Sequence, residues 1–326
     1  MDSFVYSLNS TIPIFLVMIV GGVIKKLGVI DEHFTNAANK YVFVAALPVL
    51  LFKDLSRNDF KSQFDMSFVL FCFITTIVMF GGVWVMTDLL MKEDSMKGSF
   101  IQCSCRSSAA ILGMAFIQNM YSDTGMAPLM IVAAVPLFNV ISVVVLTFKA
   151  DGCKSEGVAY KNVSDTDKSA NIKKAFINIA KNPIIIGILL GLVSSLLGIT
   201  YPEIVNKTID SIAQTATPIA LICIGAGFEG RKAIKKIKPT VIAAFVKLIG
   251  IAMAALPAAV WLGFRNQELM SILIMVASPT TVTSYIMAKN MNNDEVLASS
   301  IVVLTTLLSS ITLTGWIFVL RFMGLV

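Results

Sequence analysis

Charged residues are scarce in this chain: they make up 14% of its 326 residues, against 56% hydrophobic, and the mean hydropathy is +0.81. A soluble domain carries about a quarter charged residues. The pair of soluble domains that length alone would allow is therefore excluded. Histidine is almost absent. The one present, His33, falls in a polar loop and reads as solvated. The five cysteines, Cys72, Cys103, Cys105, Cys153 and Cys223, are odd in number, and four lie in apolar runs. They read as small buried hydrophobes without a disulfide framework, and Cys103 and Cys105 stand too close together for a metal site. Carboxylates are missing from the interior of the apolar runs, since Asp88 and Asp94 lie near the inner end of the third. A proton relay needs a carboxylate in the bilayer interior, so none is expected. A nucleophile–base pair or metal cluster is equally absent, so the chain is not expected to be an enzyme. Residues 1–10 carry no basic segment and no small-residue cleavage site, so no cleaved leader is expected.

What the chain has instead is long apolar runs, near 11–27, 36–55, 66–91, 98–119, 125–148, 183–200, 206–228, 239–263, 268–289 and 294–322. Runs of this length with few charges are bilayer-spanning helices. The sequence thus predicts an all-α integral membrane protein of ten transmembrane helices. One long polar segment, 149–182, holds seven lysines mixed with acids, Gly and Ser, and reads as a partly disordered loop with a short amphipathic helix near 170–181. The chain then divides into residues 1–148, the loop 149–182 and residues 183–326. The net charge is +6, but the basic residues sit in loops between apolar runs, which speaks for membrane topology and against nucleic acid. With the N-terminus outside, eighteen of the 26 Lys and Arg fall in inward loops, six in outward loops, and two, Arg106 and Lys247, within runs. Basic residues stay on the cytoplasmic side. Both termini are expected outside and the central loop in the cytoplasm, in a multi-pass protein of the cell membrane surrounded by lipid.

A repeat runs through the chain. Pro13, Gly21, Leu27 and Gly28 of the first run match Pro183, Gly191, Leu197 and Gly198 of the sixth at one offset of 170, which also carries Ala46 and Pro48 onto Ala216 and Pro218. Helix starts and kinks favour Pro and Gly in any case, but that does not account for constant spacing. Two halves of five spans each enter the membrane in opposite senses, which is a 5+5 inverted repeat.

Carriers built this way bind substrate near the midplane, where paired helices break. Broken helices expose backbone groups that lipid tolerates only around a cavity, and half-helix N-termini suit an anion. The ninth run contains Ala277-Ser278-Pro279-Thr280-Thr281-Val282-Thr283-Ser284-Tyr285, where the proline breaks or kinks the helix. At the offset of 170, Ser278 and Pro279 correspond to Ser108 and Ala109, beside Arg106 and Ser107. Interhelical hydrogen bonding is the structural alternative for these hydroxyls. A charge within a span is costly unless it faces a cavity or a partner. Arg106 is therefore either an anchor for a carboxylate, matched by the guanidinium fork, or a residue reaching the inner face, about two turns away. Lys247 is read as snorkelling to the inner face. Asn139 of the fifth run either lines the cavity or makes a helix-packing hydrogen bond. The candidate substrate-binding residues are Arg106, Ser107, Ser108, Ala109, Asn139, Ser278, Pro279, Thr280, Thr281 and Thr283.

The segments AKNPIIIGILLGL (180–192), TPIALICIGAGF (217–228) and VASPTTVTSYIMAKNMNNDEVLASSIVVLTTLLSSITLTGW (276–316) resemble the auxin efflux carrier family, over essentially the full length. That family includes prokaryotic malate and malonate permease-like proteins and is related to the plant PIN auxin exporters. The resemblance implies a scaffold and homodimer surface of helices one, two, six and seven. The remaining six helices form a transport unit, and substrate binds where helices four and nine cross at their breaks. Ser278-Pro279 matches the family's motif of a polar residue followed by proline, whereas Ser108-Ala109 lacks the proline. Plant members carry asparagine at the positions of Ser108 and Ser278, so a mono- or dicarboxylate is expected rather than auxin. The implied function is secondary transport of a small organic anion by alternating access, with no cofactor and with the coupling ion, H+ or Na+, left open. The alternatives are a membrane receptor that binds the anion without moving it, and a sodium-coupled symporter of the bile-acid type.

Overall fold

The computed structural model describes residues 2–57, 65–109, 117, 126–150, 177, 179–228 and 230–326. The central loop and its expected amphipathic helix lie mostly outside these residues, as does the second half of the fourth run. Twelve helices are described: α1 (Asp2–Lys26), α2 (Glu32–Ser56), α3 (Met66–Leu90), α4 (Asp94–Cys105), α5 (Ala127–Lys149), α6 (Pro183–Leu196), α7 (Glu203–Gly227), α8 (Gly230–Lys235), α9 (Ile237–Trp261), α10 (Asn266–Ala277), α11 (Thr283–Asn290) and α12 (Glu295–Phe322). Among the described residues there is no strand, and the one β-type pairing is an isolated antiparallel bridge between Ser107 and Thr280.

Six helices, α2, α3, α5, α7, α9 and α12, are long and apolar enough to cross a membrane by length and composition. These six are counted among the described residues. The described helices α4 and α10 end at Cys105 and Ala277, and α6 has 14 residues. Apolar side chains also face outward: Leu70, Phe73, Ile74, Ile77 and Val78 of α3 are all exposed, at helical spacing. In water this stripe would cost hydrophobic free energy; in lipid it does not. Cys72, Cys103, Cys105 and Cys223 are free and buried, as the sequence implied.

The matches at offset 170 have structural counterparts. Gly28 and Gly198 both end their helices with positive φ, 73° and 63°. Each makes the same pair of bonds: Gly28 N–H to Lys25 C=O and Val29 N–H to Ile24 C=O, against Gly198 N–H to Ser195 C=O and Ile199 N–H to Ser194 C=O, all 3.0 Å. This is the glycine C-cap, in which a residue without Cβ takes up the left-handed turn. Gly21 of α1 lies against the backbone of Ile222 in α7, and Gly191 of α6 against the backbone of Phe52 in α2. Both the glycine and its neighbour are displaced by 170. A Cβ at either glycine would collide with backbone, so α1 with α7 and α2 with α6 form two close-packed pairs.

Two helices contain a wide, π-type turn. In α2 it spans Val42–Ala46, just before Pro48, whose missing N–H and bulky ring demand such a local adjustment. In α9 it spans Val246–Gly250 and carries Lys247.

Candidate functional site

Helices α4 and α10 end at the same place. Ser278 precedes a proline, which disfavours helical backbone, and it is extended with φ −69° and ψ 157°. Arg106 is also extended, with φ −75° and ψ 120°, although neither Pro nor Gly adjoins it. Tertiary contacts hold this second break. Ser107 pairs with Thr280, and Ser108 N–H donates to Pro279 C=O at 2.9 Å. Shifting each member of that pair by 170 towards the other half sets Ser278 opposite Ala109, the next step of the same antiparallel register.

Helix ends leave four carbonyls without intrahelical partners. Here the two breaks satisfy one another. Thr280 Oγ1 donates to Cys103 C=O at 2.6 Å, capping α4. Ser107 Oγ donates to Met275 C=O, and Lys247 Nζ donates to Val276 C=O at 2.8 Å and to Ser107 Oγ, capping α10. Thr280 N–H is taken by Thr305 Oγ1 of α12 at 3.2 Å. Lys247 is fully buried and does not snorkel to the inner face. The wide turn carries it inward, and two broken helix ends give its ammonium oxygen acceptors.

Beside the crossing lies a cavity of about 200 Å³. Arg106, Ser107 and Ser108 form one wall, and Thr281 and Thr283 another. Asn139 joins Ile131, Val135 and Phe138 on one face of α5, while α2 contributes Leu47, Leu50, Leu51 and Asp54, and α7 contributes Thr217. The Thr281 and Thr283 hydroxyls are 3.2 Å apart at the start of α11, the positive end of that helix. Arg106 is 4% exposed, and its guanidinium donates to Asn139 Oδ1 and contacts Met287 Sδ. Among the described residues no carboxylate pairs with it.

Of the ten residues singled out from sequence, Arg106, Ser107, Ser108, Asn139, Thr281 and Thr283 line the cavity. Ala109, Ser278, Pro279 and Thr280 stand behind it: Ala109 and Ser278 are wholly buried, and Pro279 and Thr280 bond across the crossing. Sequence reasoning passed over Asp54, Thr217 and the apolar wall. Asp54 lies in the last turn of α2, at the end of the second run. It sits seven residues after Leu47 and three after Leu51, on one helix face with them. That spacing was the available signal, at the charged end of the second run beside Lys53 and Arg57.

The family described as "Membrane transport protein" matches residues 6–317. An "Uncharacterized transporter YfdV" of Escherichia coli (strain K12) is 21% identical over 318 residues, covering 97% of this chain and 98% of the relative. An "Uncharacterized transporter" of Methanothermobacter thermautotrophicus is 20% identical over 318 residues, covering 97% and 99%. A "Putative malonate transporter" of Rhizobium meliloti is 26% identical over 297 residues, covering 87% and 86%. With the match running almost from end to end, the chain belongs to the membrane transport protein family, that of the auxin efflux carriers.

Proposed function

We propose that this chain is a secondary carrier that binds a small organic anion in the cavity beside the α4–α10 crossing and moves it by alternating access. The carrying observation is the buried Arg106 guanidinium, which has no carboxylate partner among the described residues and faces a cavity with the α11 N-terminus on its other wall. A buried charge left without a counter-ion is costly. A carboxylate entering the cavity supplies the counter-ion, accepts from the guanidinium fork and meets the Thr281 and Thr283 hydroxyls. Malonate, named for the Rhizobium meliloti relative, is of this class.

Ten spans arranged as a 5+5 inverted repeat, with halves 1–148 and 183–326 joined by a cytoplasmic loop, account for the recurrence of contacts at offset 170. The close pairs α1 with α7 and α2 with α6 form the static scaffold, through which two chains meet in the membrane. The crossing and the helices around it form the moving part. Both termini lie outside.

The test is exchange in liposomes. Full-length protein reconstituted with internal malonate takes up external radiolabelled malonate against its own gradient, and malonate raises the melting temperature in detergent by mass action. Binding without exchange would point to a receptor. Neither effect with a panel of mono- and dicarboxylates would refute the carrier.

A further inference from the structure

We infer that Lys247 is a positioning residue of the substrate site: its buried ammonium, one hydroxyl behind the cavity wall, is a second positive charge that makes the site favour a doubly charged anion over a singly charged one. This rests on the carrier reading above and deepens it, because it says which residue sets the charge of the substrate.

Capping accounts for the donors of Lys247 and not for its charge. The ammonium donates to Val276 C=O and to Ser107 Oγ. A neutral donor satisfies such an acceptor equally well, as Thr280 Oγ1 does for Cys103 C=O at the matching break of α4. Taking an ammonium out of water costs far more than taking a hydroxyl or an amide. Lys247 is wholly buried, and among the described residues no carboxylate pairs with it. The titratable group beside it is the Cys105 thiol, itself buried and directed to Met79 C=O at 3.6 Å.

The fold fixes this charge next to the cavity. The wide turn Val246–Gly250 carries Lys247, and Trp316 Nε1 of α12 donates to Leu248 C=O at 3.0 Å, fastening that turn. Ser107 accepts from Lys247, donates to Met275 C=O, and lines the cavity beside Arg106. Guanidinium and ammonium therefore reach the cavity at consecutive residues of the α4 break, Arg106 directly and Lys247 through Ser107.

Two like charges in one buried place oppose each other, and each is costly without a counter-ion. A singly charged ligand compensates one of them, and a doubly charged ligand compensates both. The effective dielectric is far below that of water, so a charge that does not touch the ligand still acts on it. Ile131, Val135 and Phe138 on the neighbouring wall are apolar and add no competing charge. Asp54, at the end of α2 with Lys53 and Arg57, is common to the parent and its Lys247 variants and cancels from a comparison between them.

The experiment compares two ligands on the full chain in detergent at about pH 8, where both carboxylates of malonate are ionised. The probes are malonate and its monomethyl ester, which keeps the skeleton and one carboxylate. The parent should bind malonate about tenfold more tightly than the half-ester, the scale of one added unit charge at short range in such a medium. Lys247→Met keeps the volume and Lys247→Gln keeps a donor; each should lower that preference about tenfold. Lys247→Arg keeps the charge and should retain it. A residue that only caps would change both affinities together and leave their ratio alone. In liposomes the half-ester should compete weakly with labelled malonate in the parent, and as well as unlabelled malonate in Lys247→Gln. A parent that binds the half-ester as tightly as malonate overturns the second charge without recourse to any variant. An unchanged ratio in Lys247→Met or Lys247→Gln overturns it too, and with exchange intact the carrier stands. Absence of binding and of exchange for every carboxylate tried overturns the carrier, and the role of Lys247 with it.

Discussion

Arg106 and Lys247 are two buried cations a few residues from one another in space, with different tasks. Arg106 opens onto the cavity, so Arg106→Ala should abolish the malonate-dependent rise in melting temperature, while Arg106→Lys keeps part of it as a point charge without the bidentate fork. Equal binding by both variants and the parent would remove Arg106 from the site. Lys247 instead donates to Ser107 and Val276 C=O. Lys247→Met fills the same space but orphans both acceptors, and should lower stability by about 1–3 kcal/mol, read as a melting-temperature drop without ligand. An unchanged melting temperature would mean that the ammonium is not a structural cap. Arg106 was legible in the sequence, because a guanidinium inside an apolar run is conspicuous. Lys247 was equally visible, but its fate depends on a wide turn in α9 that no residue in VKLIG announces. Asp54 escaped because it sits among charges at the end of the second run, where nothing in the sequence draws attention to the face it shares with Leu47 and Leu51.

At the scale of elements, the two breaks differ in what enforces them. The Ser278 break is local, set by Pro279; the Arg106 break is imposed by contact with residues 275–280. Pro279→Ala restores a helix-compatible residue and should impair exchange more than Pro218→Ala, whose proline lies inside the continuous helix α7. The reverse order would mean that the ninth-run break is not the critical one. The close pairs allow a similar contrast. Gly225 abuts the backbone of Met18, so Gly225→Val should prevent α1 and α7 from closing. Gly28 has open space around it, and Gly28→Ala meets only the left-handed penalty of about 1–2 kcal/mol. Thermal unfolding of the two variants should therefore differ widely. The spans and the ninth-run break follow from apolar length and proline. The fourth-run break was reachable through the offset of 170 and the family resemblance, and not locally, since its sequence, RSSA, is compatible with a helix.

For the whole molecule, orientation is the property that charge counting reaches and packing does not. Cys153 lies in the central loop, while Cys72, Cys103, Cys105 and Cys223 are buried. A membrane-impermeant maleimide should therefore label Cys153 in inside-out vesicles and not in intact cells; labelling from the outside would invert the proposed topology. The expected orientation rests on the positive-inside bias of lysines and arginines alone. The pairing of distant helices was not, because composition says which faces are apolar and not which face meets which.

The mutual capping of the two breaks also bears on how the protein is made. The Cys103 carbonyl waits for a hydroxyl 177 residues further along the chain. At cellular synthesis rates that segment takes roughly ten to thirty-five seconds to appear. During that interval the first half stands in the membrane with open backbone groups, a natural substrate for chaperones and proteases. Residues 1–150 expressed alone should be degraded rapidly, and co-expression with residues 151–326 should rescue them. Such a result would tie biogenesis to the same crossing of α4 and α10 that the proposed transport cycle uses.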